Sequence, residues 1–473
     1  MLDSFGLGED GRVAGLLATR ALAAVGRVEE AEREVARLGR PRPADRLDTR
    51  LLWRLTRAEV AGSGQRRAEA FRQLSAGLAD LRRYRSQLGC LDLQTGAAVH
   101  GRDLAKAGLS AAIATGSPAR VYRWSERARA QALLLPPVRP PEDPDAVADI
   151  EELRQVRHIL RRTELAGRPA QSLRSRSDAL QRRIRERSWY AAGSRSTSAL
   201  SSFRSIRTEL ADAAMLIYLQ DGPTLHALVV VGGSARLARL GRYAVAQEAA
   251  LRLRADLDAQ AGRALAHRLA QAMAEATRRD AAALAAAILE PLLPMVGDRD
   301  LVVVPTGVLV TVPWSILPGC AGRPVTVAPS GTTWRAARSR LRALDLAGGA
   351  VSALLVAGPG NERGEPEVRA IAQLRPNASV LVGRAATTAA TLATLDRVAI
   401  AHLAAHGHHV SDNALFSALE LTDGPLMGYD LQRIGATPAI VVLSSCDLGL
   451  SDVRPGDETL GLVTALLSTG PVR

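Results

Sequence analysis

Two side chains able to do covalent chemistry lie at the ends of apolar runs. His406 falls at the end of VAIAHLAAHG (398–407), and Cys446 ends AIVVLSSC (439–446), 40 residues further on. A thiol attacks as its thiolate, and a neighbouring imidazolium favours that form. The same imidazole can then protonate a leaving amine. Gly407 follows the histidine and has no Cβ, so its backbone N–H can approach a substrate carbonyl. With the backbone N–H of Cys446 it could form an oxyanion hole. Ser444 and Ser445 are small and leave the strand end open.

Other reactive types are read differently. His402, His406, His408 and His409 are four of the eight histidines, a density that raises the question of a metal. Ligands at i and i+4 need a helix, whereas His402 sits in a strand run, and no cysteine or carboxylate pattern completes a zinc set. No metal and no cofactor are expected. His402 reads as core or as support for the site, and His408 and His409 as its loop. Cys90 and Cys320 have no histidine-rich segment beside them and read as structural. GPGNERG (358–364) lacks the Lys-Ser/Thr of a phosphate loop and reads as a turn after a strand. Asp423, Asp430 and Asp447 lie near the expected cleft, where one could favour a basic residue before the scissile bond.

The elements that must position this pair form a run of strands. LVVVP (301–305), ALLVAG (353–358), SVLVG (379–383) and the two runs above are nearly continuous in apolar residues, as strands buried on both faces are. Intervals long enough for helices separate them, which argues for a mostly parallel α/β sheet. Ligands in such sheets bind at the carboxyl ends of strands, where His406 and Cys446 fall. MLIYLQDGPTLHALVVVGG reads as a hairpin around Asp221-Gly222, and a helical stretch follows over 243–294.

Residues 1–135 read as helical throughout, with breaks at Gly26, Gly64 and Gly116 between Ala-rich segments, a pattern resembling degenerate TPR repeats. PPVRPPEDPD (136–145) breaks the helices. A helix pair over 149–192 turns near AGRP (166–169), with an apolar stripe of Ile150, Leu153, Leu160, Leu173, Leu180 and Ile184 and an Arg-rich opposite face expected to be solvated.

Composition fits this division. The 473 residues suit two or three domains, 47% hydrophobic content supports sizeable cores, and 3% aromatics favours helices packed through small residues. The net charge is +13, yet 351–473 holds 8 Arg against 12 Asp and Glu, a net −4, leaving +17 on 1–350. Lys106 is the only lysine. No nucleic-acid motif or interleaved aromatics accompanies the arginines, so nucleic acid is not an expected partner. Three cysteines far apart match no disulfide or metal spacing and fit a reducing, cytoplasmic setting. No apolar stretch is long enough to span a bilayer, so no membrane partner is expected.

HLAAHG followed by VVLSSCDLG, GDETLGL and ALLSTG resembles the His and Cys boxes of CHAT domains, of the caspase–separase–gingipain clan of cysteine peptidases. LVVVPTGVLVTVPWSILP with GRPVTVAPSGT, and LLVAGPG with EVRAIAQLRPNASVLVGRAAT, resemble that family's earlier blocks. The resemblance runs from about 213 to 473. It implies a caspase-like α/β fold and a catalytic dyad of His406 and Cys446. Thr306 departs from the family, standing where an acidic residue is usual. The family continues past the ALL-x-x-G segment into further strands, so a chain ending at Arg473 reads as C-terminally shortened, with an unpaired sheet edge.

The resulting expectation is an all-α TPR-like region (1–135), an Arg-rich helical hairpin linker after the proline-rich break (136–205) and a caspase-like α/β domain (206–473). The function expected is a cysteine endopeptidase that cleaves a protein substrate through a thioester, with the helical region docking substrates or a protein regulator. The alternative is an inactive TPR–CHAT scaffold, favoured by the shortened end and opposed by the intact His406 and Cys446.

Overall fold

Glycine-centred turns divide the N-terminal half into packed helix pairs. Helices α1 (Gly8–Ala24) and α2 (Val28–Leu38) turn at Gly26. Helices α3 (Leu47–Ser63) and α4 (Arg67–Ser86) turn at Gly64 and Gln65. After α5 (Leu91–Ala98), α6 (Arg102–Ala114) and α7 (Pro118–Leu133) turn at Gly116. Each pair packs against itself, and α1 also packs on α3 and α4 on α6. The computed structural model describes residues 8–89, 91–133, 144–189, 199–261, 266–346, 351–410, 414–432, 434, 437–445, 452–454, 458–460, 462–463 and 466. The prolines of 136–143, Cys90, Cys446, Asp447, part of GDETLGL and most of ALLSTG lie outside the described residues.

A fourth pair, α8 (Pro144–Leu165) and α9 (Gln171–Trp189), turns at Gly167 and precedes α10 (Phe203–Leu210). A five-stranded sheet follows. Its strands are β1 (Ala214–Asp221), β2 (Thr224–Val231), β3 (Ser234–Arg242), β4 (Leu301–Val304) and β5 (Val325–Val327), in the order β3-β2-β1-β4-β5. β1 and β2 form the expected antiparallel hairpin, while β1–β4 and β4–β5 are parallel. Helices α11 (Tyr243–Gln260), α12 (His267–Ile288) and α13 (Leu293–Val296) fill the interval before β4.

Successive strand residues point to opposite faces, and here both faces are covered. Leu216, Tyr218, Val229 and Val303 pack with α11 and α12. Met215, Ile217, Val230 and Val302 pack with Leu55, Leu78, Val121 and Trp124 of α3, α4 and α7. The N-terminal helices therefore share a core with the sheet. Polar ties reinforce that joint. The buried Glu126 of α7 accepts the N–H groups of Gly331 (2.9 Å) and Thr332 (2.8 Å) at the start of α14 (Gly331–Leu346). A carboxylate there satisfies otherwise orphaned amides and suits the helix dipole.

The expected parallel sheet is four-stranded, and LVVVP, as β4, lies in the other sheet. Its strands are β6 (Ala353–Ala357), β7 (Ser379–Leu381), β8 (Ile400–Ala404) and β12 (Ile440–Ser444), in the order β12-β8-β6-β7, all parallel. Helix α15 (Gly364–Leu374) covers one face through Val368, and α16 (Thr388–Leu395) the other through Leu395. Between β8 and β12 lie β9 (Gly407–His408), β10 (Ala418–Leu421) and β11 (Gly424–Met427), a small antiparallel sheet, and α17 (Gly428–Leu431). Strands β13 (Asp452–Arg454) and β14 (Glu458–Leu460) pair as a ribbon.

One expectation is corrected in part. Arg162, Arg174, Arg176, Arg182 and Arg183 of the hairpin are exposed as expected, but not every arginine of α8 lies on a solvated face. Ile150, Leu153, Leu180 and Ile184 pack against Phe416, Ala418, Met427 and Tyr429 around β10 and β11. Arg154, Arg157 and Arg161, spaced i, i+3 and i+7, follow the same packed side. Arg154 is buried and pairs with the buried Asp430 at 2.7 Å, and Arg157 donates to the Phe416 carbonyl at 2.8 Å. The hairpin is thus a wall of the site-bearing half. Much of its remaining charge pairs internally, as in Arg174–Glu164 and Arg183–Asp149.

Candidate active site

The site is built at the carboxyl end of β8. Ala404 is the last strand residue, and His406 follows two positions later, partly exposed. Its Nε2 lies 2.9 Å from the Gly360 carbonyl oxygen. A carbonyl can only accept, so Nε2 carries the hydrogen and Nδ1 holds the lone pair of the neutral ring. Gly360 belongs to the GPGNERG turn that follows β6, the neighbour of β8. Its φ of +73° is in the left-handed region that glycine takes most readily. Gly358 is required by space. A Cβ there would lie 2.4 Å from the Glu420 carbonyl oxygen and 2.6 Å from the Ala405 Cβ. Sequence reading gave this segment only as a turn. The glycines immediately after an apolar strand were the available signal of a close backbone approach.

Gly407 pairs with Leu419 across β9 and β10. The Glu420 N–H donates to the His406 carbonyl at 2.8 Å, so 406/420 is the bonded couple and 407/419 the non-bonded one. The Gly407 N–H therefore points away from β10, toward the outer edge of the small sheet, where β9 is the terminal strand.

β8 and β12 are adjacent and parallel, with Ala404 opposite Ser444. His406 comes two residues after the first of that couple, and Cys446 two residues after the second. One carboxylate spans both strands. Glu367, in the first turn of α15, meets His402 Nε2 at 2.9 Å and accepts from Ser444 Oγ at 3.2 Å. His402 is the buried supporting histidine expected from the sequence; Glu367 was not anticipated.

Charge gathers behind His406. His408 Nε2 lies 2.7 Å from Arg161 and 3.4 Å from the Glu420 carboxylate. Burial pushes the Glu420 carboxyl above its usual range, opposed by the nearby Arg161, Arg157 and His406. Burial likewise lowers the proton affinity of Arg157. Asp423 and Asp430 hold structural posts: Asp423 accepts the Thr388 N–H at 2.7 Å, and Asp430 accepts the Met427 N–H at 2.9 Å besides its Arg154 pair. Cys320 is buried, and burial raises its thiol pKa. Among the described residues no cluster of His, Cys, Asp and Glu could hold a metal ion, and no helix is long and apolar enough to cross a membrane.

Comparison with known protein families matches residues 246–471 to the CHAT domain. The C-terminal half of this chain is a CHAT domain. The match begins in α11, so it takes in β4 and the whole four-stranded sheet, with His406 and Cys446 inside it. Among solved structures, the crystal structure of the Saccharomyces cerevisiae separase–securin complex is similar at a TM-score of 0.41 and 9% identity, covering 98% of this chain and 49% of that one. The chain thus spans about half the length of that protein. No curated protein sequence matches it.

Proposed function

We propose that the CHAT domain is a cysteine peptidase with Cys446 as nucleophile and His406 as its acid/base partner, and that the helical half docks a protein substrate or regulator. The observation that carries this reading is the β8–β12 register, in which His406 and Cys446 follow the paired Ala404 and Ser444 by equal steps. Equal offsets past a parallel couple favour side chains that meet above one strand end.

In this mechanism Nε2–H stays bonded to the Gly360 carbonyl, which leaves Nδ1 to take the Cys446 proton. The thiolate adds to the scissile carbonyl carbon, and the oxyanion accepts the outward N–H of Gly407 together with that of Cys446. Imidazolium Nδ1–H then protonates the leaving amine, giving a thioester. Water attacks the thioester, Nδ1 taking its proton and returning it to sulfur as the acid departs. Glu367 acts as a positioning residue that ties the two strands.

The test is a library of fluorogenic tetrapeptides offered to the native chain and to Cys446→Ser. Cleavage that disappears in the variant supports the reading. Cleavage that survives it contradicts Cys446 as the nucleophile, and a native chain that cleaves nothing favours a scaffold role.

A further inference from the structure

The helical half holds a groove remote from His406 in sequence and built from different elements. Arg50, Trp53 and Arg54 line it from α3, and Asp80, Arg83, Tyr84 and Gln87 from α4. Both sets follow helical i, i+3, i+4 spacing, so each occupies one face of its helix. The third wall is the Arg40-Pro41-Arg42-Pro43 segment between α2 and α3, where a following proline disfavours helical backbone at each arginine. The hollow measures about 570 Å³. It continues past Tyr84 into a second of about 840 Å³ with apolar Leu88, Leu93 and Ala97 on its walls.

The charge of the first hollow is one-sided, while the second also carries Asp45 and Asp48, the latter paired with Arg46. In the first, five arginines face a single carboxylate, Asp80, which Arg54 and Arg83 already share at 3.4 Å each. The exposed guanidinium groups of Arg40 and Arg42 form no ion pair among the described residues. Two buried donors also lack acceptors there: the Nε of Arg50 and the Nε1 of Trp53, a residue only 9% exposed. A buried donor without an acceptor costs free energy, and a ligand rich in carboxylates could supply one.

We infer that this groove binds an acidic, extended peptide segment of a protein partner, with carboxylates on the arginines and an apolar side chain in the adjoining hollow. A peptide fits better than single-stranded nucleic acid. Base stacking needs open aromatic faces, and Trp53 is almost wholly covered, leaving Tyr84 as the exposed ring. The inference deepens the docking role proposed for the helical half and gives its partner a chemistry.

The test is fluorescence anisotropy with a fluorescein-labelled ten-residue peptide of glutamates and two central leucines. The full chain carries Cys446→Ser, so binding is read whether or not the thiol is a nucleophile, and failure of the peptidase reading leaves the result standing. Arg40→Glu combined with Arg42→Glu alters exposed side chains and should leave the melting curve unchanged. It should weaken binding roughly tenfold, since two charged contacts become repulsive. Arg375→Glu with Arg384→Glu, an equal charge change on the other half, should leave affinity unchanged. Equal weakening by both pairs, no saturable binding up to about 1 mM peptide, or displacement by an equal concentration of ten-nucleotide single-stranded RNA would each overturn the inference.

Discussion

The two larger sheets differ in what holds them. β1 and β4 lie between apolar layers, with Ala214–Leu219 and Leu301–Val304 buried throughout. β12, at the end of the four-stranded sheet, leaves Ile440 and Val442 38% and 42% exposed and is tied through Ser444 to Glu367. Apolar burial is non-directional and serves to assemble a scaffold. Hydrogen bonds are directional, and here they cluster where a reacting pair would need a fixed geometry: Gly360 on His406, Glu367 on both strands, and Arg154 on Asp430 beneath the small sheet.

The largest effect expected from breaking this contrast is at Arg154. Arg154→Ala leaves the buried Asp430 without its cation, a change that costs about 3–5 kcal/mol. Hydrogen exchange should accelerate in β10 and β11 while β1 and β2 keep their protection. Equal acceleration in both regions would mean that the halves are not held separately. Glu126→Ala probes the scaffold side. It strips the acceptor from the Gly331 and Thr332 amides and should destabilise by roughly 2–3 kcal/mol in denaturant melts. An unchanged melt would show that the α7–α14 tie contributes nothing.

Much of this was legible in the sequence. Continuous apolar runs mark β4, β6, β7, β8 and β12; burial on both faces accounts for those of β4, β6 and β8, whereas β7 and β12, at the two edges of their sheet, keep apolar runs while partly exposed. The position of His406 just past β8 follows from the same runs. The division into two sheets was not legible, because an apolar run does not say which strand it joins. Glu367 was hidden for a related reason. It sits in an ordinary helix first turn, and its meaning depends on which strands α15 covers. The arginines of α8 read as solvated because sequence cannot reveal that Asp430, 276 residues from Arg154, lies beneath them.

Smaller effects sharpen the contrast within the site half. Glu367→Ala leaves His402 and Ser444 without their shared acceptor and should cost about 1–2 kcal/mol. Its signature should be faster exchange in β8 and β12 rather than a large shift in melting. Glu420 gives the mildest change. Its pKa is raised in the folded chain by burial, so the folded state binds that proton more tightly than the unfolded one. The contribution to stability is full below the unfolded pKa and is lost as pH rises through the folded one. Glu420→Gln cannot titrate, so it should flatten the pH dependence of the melting midpoint across that window. A curve of unchanged slope would count against a buried, proton-holding Glu420.

The central claim, a thiol activated by His406, is tested most directly by alkylation. Iodoacetamide rates are measured by mass spectrometry for each cysteine at about pH 6.5, where an ordinary thiol is mostly protonated and slow. The buried Cys320 provides a slow internal reference. The account predicts that Cys446 reacts much faster than Cys90 and Cys320 and loses that lead in His406→Ala. A Cys446 no faster than Cys320, or equally fast without the imidazole, would contradict it.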